Sequence, residues 1–152
     1  MTPLAFTRRL SRLHWRQWLL LCEASAMLAL ASVAIRLVPF KTLVGALGAA
    51  HPRPGGDSSS DVRRTDDACW AVRAAAPFLP WRTVCFQKGL ALHVMLWRRG
   101  ISSLLHYGVA QREEKGLSAH VWVSARGRVL IGGREAEEFA CLATYPAAPQ
   151  TQ

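Results

Sequence analysis

Apolar residues recur at helical spacing through the first third of the chain and predict an N-terminal helical region over residues 1–47. The run from residue 18 to residue 37 is rich in leucine, alanine, valine and isoleucine and predicts one long helix. Pro39 is expected to end or kink this helix, because proline has no N–H to donate and its ring clashes with the preceding turn. A second, short helix is predicted over residues 40–47.

Past this region the composition changes, and two further helices are predicted. Residues 48–60 are rich in glycine, proline and serine, which is typical of a linker. A helix is predicted over residues 61–76, because Ser60 or Asp61 can cap its first turn. Another is predicted over residues 85–99, where apolar residues recur at helical spacing and a pair of arginines suits the C-terminal end.

Alternating apolar and polar residues then predict a small antiparallel sheet. The expected strands, the last two joined by a tight turn, lie at residues 101–110, 117–124 and 128–131. Residues 135–142 are expected to form a short helix or a last irregular strand. Helices that precede a sheet indicate an α+β protein. Residues 61–145 are interpreted as its main domain and residues 146–152 as a tail.

The long N-terminal helix raises the question of a membrane segment. Residues 24–35 carry no charge, but this run of 12 residues is shorter than the roughly 20 that cross a bilayer. We therefore expect the helix to pack on the rest of the protein or to lie on a membrane surface. A cleaved signal peptide, with Ser32-Val33-Ala34 as its cleavage site, and a true membrane span are the alternatives.

Net charge narrows the classes of partner. The 152 residues carry a net charge of +9, and the first acidic residue, Glu23, is preceded by Arg8, Arg9, Arg12 and Arg16. Such a basic segment suits anionic lipid, nucleic acid or an acidic peptide. No run of aromatics on basic strands, no zinc-finger spacing and no helix-turn-helix pattern accompany it, so nucleic-acid binding is not expected.

Cysteine and histidine spacing indicates a reduced protein without a metal or cofactor. The four cysteines include no CxxC pair, so free thiols in a cytoplasmic protein are a simpler interpretation than two disulfides. The five histidines show no metal-ligand spacing. The expected location is therefore the cytoplasm, with contact to a membrane through the N-terminal helix left open.

Cys85 and His120 are the candidates for catalysis. Cys85 stands where a proline-containing turn gives way to the predicted helix, and His120 lies on a strand-like segment. Unpaired N–H groups and the positive end of the helix dipole favour the thiolate and can stabilise an oxyanion. A neighbouring imidazole completes a nucleophile and general acid/base pair. Because side chains alternate along a strand, His120 faces Cys85 only from the side of the sheet opposite Val121.

The same residue types have a plainer interpretation. A free cysteine is often a small buried apolar residue, and a lone histidine near a sheet is often structural. This structural interpretation is the one given to His93, His106, Cys22, Cys69 and Cys141. For Cys85 and His120 it remains the alternative to catalysis.

Several short blocks, in this order along the chain, carry a resemblance to a known family. The blocks are Pro80-Trp81-Arg82-Thr83-Val84-Cys85, Gly89-Leu90-Ala91-Leu92, Arg98-Arg99-Gly100, Ala119-His120-Val121-Trp122-Val123 and Gly127-Arg128-Val129-Leu130. Together they resemble the lasso-peptide leader peptidases, the transglutaminase-like maturation proteins of lasso-peptide biosynthesis. The resemblance covers residues 18–143, and the cysteine and histidine blocks together are its most specific part.

The resemblance implies a small transglutaminase- or papain-like cysteine-protease domain that removes the leader from a ribosomally made precursor peptide. It implies that Cys85 is the nucleophile and His120 the general acid/base. The implied partners are the precursor leader peptide, a separate leader-recognition protein and an ATP-dependent lactam synthetase that closes the ring. No cofactor is implied for the peptidase itself.

The chain departs from the family at the third catalytic position. The family usually carries an aspartate about a dozen residues after the histidine to orient the imidazole, and here no aspartate follows Asp67. Glu135 is the candidate substitute; a backbone carbonyl or a simple Cys85–His120 dyad are the other options. Because losing the third group costs triad enzymes orders of magnitude in rate, the alternative function is a catalytically degenerate scaffold that binds precursor and synthetase.

Overall fold

The computed structural model describes residues 14–49, 59–112 and 116–146. Its helices are α1 (Trp15–Leu37), α2 (Phe40–Ala49), α3 (Ser59–Ala75), α4 (Cys85–Arg98) and α5 (Gly133–Ala136), with a 3₁₀ turn at Ala76–Phe78. Its strands are β1 (Leu104–Arg112), β2 (Gly116–Ala125), β3 (Arg128–Ile131) and β4 (Ala140–Tyr145). Helices followed by an antiparallel sheet confirm the predicted α+β class.

The boundaries of the helices lie close to the predicted ones. Pro39 separates α1 from α2, since α1 ends at Leu37 and α2 begins at Phe40. The predicted linker is shorter than expected, because α2 runs to Ala49 and α3 begins at Ser59. Residues 50–58 of that linker, residues 1–13 of the N-terminal region and residues 147–152 of the tail lie outside the described residues. The division into regions stays a prediction.

The sheet has the strand order β3-β2-β1-β4, and every neighbouring pair is antiparallel. β2 and β3 form a hairpin whose two turn residues, Arg126 and Gly127, both have positive φ, as the tight turns that suit the twist of a hairpin require. β3 pairs with β2 only at residues 123–125. The edge of β2 beside His120 is therefore not covered by a strand.

The helices α1, α3 and α4 enclose a single core with one face of the sheet. α4 lies against the face that carries Val121 and Val123. A Cβ built on Gly89 of α4 would stand 3.0 Å from Cγ1 of Val121 and 3.5 Å from Cγ2 of Val123. The largest fully buried side chains belong to this core, and they are Leu28, Val72, Leu92, Met95, Leu96, Leu105, Val121 and Val123.

α1 is held to the other helices by polar contacts as well as by packing. Arg99, next to the end of α4, donates from Nη1 to Oε1 of Glu23 over 3.0 Å, and the indole Nε1 of Trp81 donates to Oγ of Ser32 over 3.0 Å. Ala24, Leu28 and Ala31 form the buried side of the helix.

The opposite side of α1 is also apolar but exposed, with Leu30 at 59% and Leu37 at 76% relative exposure. Within the described residues, this helix of 23 residues is long and apolar enough to cross a membrane, by length and composition alone. The uncharged run of residues 24–35, too short by itself to cross a bilayer, is thus part of a longer helix. The buried side of α1 packs against the rest of the protein. Its exposed apolar side is compatible with contact to another protein or to a membrane surface.

Candidate active site

Cys85 is the first residue of α4, as the sequence predicts. Its neighbour Val84 has extended backbone angles, and the Val84 N–H donates to Oε1 of Gln87 over 2.9 Å. This contact fixes the point at which the chain enters the helix, in the manner of the second half of a capping box. The thiol is half-buried and lies beside the first N–H groups of the helix, which have no intrahelical acceptors.

His120 is buried on β2, and its ring is tied down through Nε2. This nitrogen lies 2.9 Å from the carbonyl oxygen of Gly132. A carbonyl can only accept, so Nε2 carries the proton, and in the neutral ring Nδ1 carries the lone pair. The ring also stacks near Trp122 and touches Phe139, at centroid distances of 6.2 and 5.0 Å. Its tautomer and orientation therefore leave Nδ1 as the basic nitrogen.

Glu135 lies close to that second nitrogen. Its Oε2 is 3.5 Å from Nδ1 of His120, and 66% of the glutamate side chain is exposed. Because a carboxylate accepts only, this contact becomes an ion pair when Nδ1 is protonated. Glu135 thus stands at the basic side of the ring, whereas the orienting contact on Nε2 comes from Gly132.

Gly132 occupies a position that only glycine fits. Its φ is +78°, and a Cβ there would stand 2.7 Å from the carbonyl oxygen of Val121 and 3.1 Å from Nε2 of His120. The residue lies twelve positions after His120, close to the place where the resemblance of the sequence leads us to expect an orienting aspartate. A backbone carbonyl, one of the options left open by the sequence, makes the contact at this position.

Cys85 and His120 line the same open cleft, about 1160 Å³ in volume, together with Gly132 and Glu135. Its remaining walls come from the end of α3, from the 3₁₀ turn, from the segment that leads into α4 and from β3. In the described part of the chain, the Cys85 thiol makes no hydrogen bond with either ring nitrogen of His120. Val121 packs against α4, so alternation turns His120 to the other side of β2, next to the edge of that strand that β3 leaves uncovered.

His93 and His106 have structural surroundings, in keeping with the sequence interpretation. Nδ1 of His93 is 2.9 Å from Oγ of Ser103, and burial lowers the pKa of His93 to about 4. His106 bonds Oγ of Ser124 over 2.7 Å and Oγ1 of Thr144 over 3.1 Å, and burial lowers its pKa. Both rings therefore stay neutral at physiological pH.

The other cysteines differ in their exposure to solvent. Cys69 is buried, its thiol donates to the carbonyl of Leu130 over 3.1 Å, and burial raises its pKa. Cys22 and Cys141 are exposed, which the apolar patterns around them did not indicate. Among the residues that the structure describes, no three His, Cys, Asp or Glu side chains cluster in a way that could hold a metal ion.

The sequence interpretation did not identify two features of the cleft. The Gly132-Gly133 pair by itself indicates only a break after β3, and the signal for the Gly132 contact is its spacing from His120. The basic side chains of the cleft, Arg82, Lys88 and Arg134 among them, form no pattern in the sequence because they are scattered along the chain.

Comparison with known proteins identifies the family of the domain that contains this site. The family model described as the transglutaminase-like superfamily matches residues 27–144, which is most of the chain and includes both candidate residues. Such a domain indicates a fold of the papain-like cysteine-protease type. Comparison with curated proteins and with solved structures found no significant match.

Proposed function

The chain belongs to the transglutaminase-like superfamily, and on that basis we propose that it is a cysteine peptidase that removes the leader from a lasso-peptide precursor. Members of the superfamily are typically cysteine peptidases or transglutaminases. One observation carries the proposal: a thiol at the start of α4, Cys85, shares a cleft with a histidine, His120, whose Nε2 is already occupied. The other ring nitrogen, Nδ1, is then free to act as the base for the Cys85 thiol.

In the proposed reaction, Nδ1 of His120 takes the proton of the Cys85 thiol. The thiolate then attacks the carbonyl carbon of the leader–core peptide bond, and the developing oxyanion is stabilised by the N–H groups at the start of α4. Protonated Nδ1 gives its proton to the departing amine of the core, and water hydrolyses the thioester. The first step requires Nδ1 of His120 and the sulfur of Cys85 to come within hydrogen-bond distance of each other in the cleft.

Gly132 and Glu135 have different parts in this scheme. The Gly132 carbonyl holds the ring and its tautomer, which is the orienting task of the aspartate in related enzymes. Glu135 stabilises the imidazolium that forms, and its contribution is modest because the carboxylate is exposed to water. A carbonyl has no full charge, so we expect a slower enzyme than one with a complete triad.

The lasso-peptide role rests on the resemblance of the cysteine and histidine blocks, and it defines the partners. The substrate is the precursor with its leader, which a separate leader-recognition protein presents, and an ATP-dependent lactam synthetase receives the core. The neighbouring reading frames test this assignment. A short precursor, a leader-binding protein and an asparagine-synthetase-like protein beside this one support it, and their absence there contradicts it.

A specific observation favours a second candidate, a scaffold without activity. The Cys85 thiol has no hydrogen bond to His120 in the described part of the chain, and no aspartate follows Asp67. Alkylation separates the two functions. A catalytic Cys85 reacts with iodoacetamide at pH 6–7 faster than an ordinary thiol, whose pKa is about 8.5, whereas a scaffold shows no such preference among its exposed cysteines.

We also propose that the protein is cytoplasmic and rests on an anionic membrane surface through the outer side of α1. This side is mostly apolar from Leu19 to Leu37, with the exposed Arg36 near its end, and it begins with the exposed indoles of Trp15 and Trp18. Tryptophan is favoured at the level of lipid headgroups. The sequence places four arginines by residue 16 and no acid before Glu23, whose carboxylate is turned to Arg99. Apolar area and positive charge together suit a surface of anionic lipid.

A further inference from the structure

The cleft that contains Cys85 and His120 is strongly basic. Its lining includes four cationic side chains and a single carboxylate, that of Glu135. The cationic side chains are those of Arg73, Arg82, Lys88 and Arg134. A cleft with walls of one sign of charge concentrates the field and attracts ligands of the opposite sign.

Three of these cations have no acidic partner. In the part of the chain that the structure describes, no carboxylate lies within salt-bridge distance of Arg82, Lys88 or Arg134. Other arginines are paired outside the cleft: Arg99 contacts Glu23 and Arg128 contacts Asp66. With Glu135 as its single carboxylate, the cleft is left with an excess of positive charge.

These three cations come from the chain just before and just after the candidate nucleophile and from the segment that follows the Gly132 turn. Lys88 is three residues after Cys85 on α4, so the two share one side of the helix. Arg82 lies in the segment that enters the helix, and Arg134 follows the Gly132 carbonyl that holds His120. The fourth cation, Arg73, is fixed at the wall because its guanidinium donates to the carbonyl of Leu130.

From this placement we infer that the cleft selects a peptide segment that carries aspartate or glutamate close to the scissile bond. The inference rests on the proposed function, because it assigns a substrate class to the same site. Each exposed ion pair contributes at most about fivefold to affinity. Three cations that act on one segment therefore give a preference of about tenfold or more at low salt. Salt removes it, since the Debye length is about 10 Å at 0.1 M and about 3 Å at 1 M.

Binding to the full-length Cys85→Ala protein tests the inference without any cleavage. Two fluorescent decapeptides are compared by anisotropy, one of alternating glutamate and glycine and one with glutamine in place of every glutamate. We expect the acidic peptide to bind about tenfold more tightly at 50 mM NaCl, and the two peptides to bind alike at 1 M NaCl. Equal affinity for both at low salt, or no binding of either, overturns the inference.

Charge reversal locates the effect. Arg82→Glu with Lys88→Glu removes the preference. The control Arg63→Glu with Lys41→Glu, which makes the same change of charge at exposed positions of α3 and α2 outside the cleft, keeps it. Loss of the preference in this control protein overturns the assignment to the cleft. Circular dichroism confirms that each variant is folded. Because Cys85 is absent throughout, the outcome is independent of whether the wild-type protein cleaves peptides.

Discussion

Nε2 of His120 lies 2.9 Å from the carbonyl oxygen of Gly132, twelve residues further along the chain. This contact ties a buried ring on β2 to the turn that follows β3. It fixes the tautomer through a group that belongs to the backbone, so substituting a side chain at that position cannot delete it without also moving the chain. The proposed mechanism depends on this contact, because it assigns the role of base to Nδ1.

Gly132→Ala is predicted to damage both stability and the site. The positive φ alone costs about 1–2 kcal/mol for a residue with a Cβ, and the Cβ would also stand 2.7 Å from the Val121 carbonyl oxygen. The matched control is Gly100→Ala, where φ is +70° but nothing lies within 4 Å of the added carbon. Urea unfolding is expected to show a loss for Gly132→Ala that is larger by at least about 1 kcal/mol.

Equal losses of stability for the two glycine variants would contradict the close packing at Gly132. Peptidase activity supplies the second measurement. We expect a strong loss for Gly132→Ala at temperatures where the protein is folded, because the displaced turn no longer holds His120, and little change for Gly100→Ala.

Gly89→Ala is predicted to reveal the close approach of α4 to the sheet. Replacing glycine by alanine inside a helix gains about 1 kcal/mol in propensity. At Gly45 in α2 nothing lies within 4 Å of the added Cβ, so that gain is expected in full. At Gly89 the added Cβ stands 3.0 Å from Cγ1 of Val121, which offsets the gain. A Gly89→Ala protein that is stabilised as much as Gly45→Ala would show that α4 does not lie this close to β2.

His93 is predicted to make the protein less stable in mild acid. Its pKa in the folded state is about 4, below the value of about 6.5 in the unfolded chain. The unfolded chain therefore binds more protons between these two pH values, and the free energy of unfolding falls as the pH falls from 6.5 to 4. The loss amounts to at most about 3 kcal/mol.

A His93→Gln variant isolates this contribution. Urea unfolding of both proteins between pH 7.5 and pH 4 is expected to give a shallower dependence for His93→Gln, because glutamine does not titrate. Parallel curves for the two proteins would show that His93 is not buried in the neutral form.

The outer side of α1 is predicted to bind anionic vesicles. Co-sedimentation with vesicles of phosphatidylglycerol should exceed that with phosphatidylcholine, since both apolar area and basic residues contribute. Leu30→Glu with Val33→Glu places two charges on the exposed side and is expected to abolish binding. The control Val62→Glu, at an exposed valine of α3, should retain it. Binding to neither vesicle would leave this side of α1 to a protein partner and refute the membrane assignment.

Some of this architecture could be predicted because local patterns decide it. The Arg126-Gly127 turn and the alternation around it gave β2 and β3, and Pro39 gave the break between α1 and α2. β1 begins three residues later than predicted. The N–H of Ile101 donates to the carbonyl of Leu96 and completes the end of α4, so this buried residue precedes the strand.

Other features depend on tertiary placement and leave little trace in the sequence. Both sides of α1 are apolar, so its pattern alone does not tell which side packs against Arg99 and α4. Every residue has a carbonyl, so nothing in the composition marks the one at Gly132 as the partner of His120. The basic character of the cleft arises because the fold brings Arg82 and Arg134 to the same surface from distant parts of the chain.

The central claim is that Cys85 is the nucleophile, and leader removal by single cysteine variants tests it most directly. The precursor peptide and the leader-recognition protein are incubated with purified wild-type protein, Cys85→Ala or Cys141→Ala, whose cysteine is exposed outside the cleft, and the products are identified by mass spectrometry. The account predicts wild-type cleavage by Cys141→Ala and a loss of at least about a thousandfold for Cys85→Ala in a folded protein. Cleavage by Cys85→Ala at the wild-type rate would contradict it.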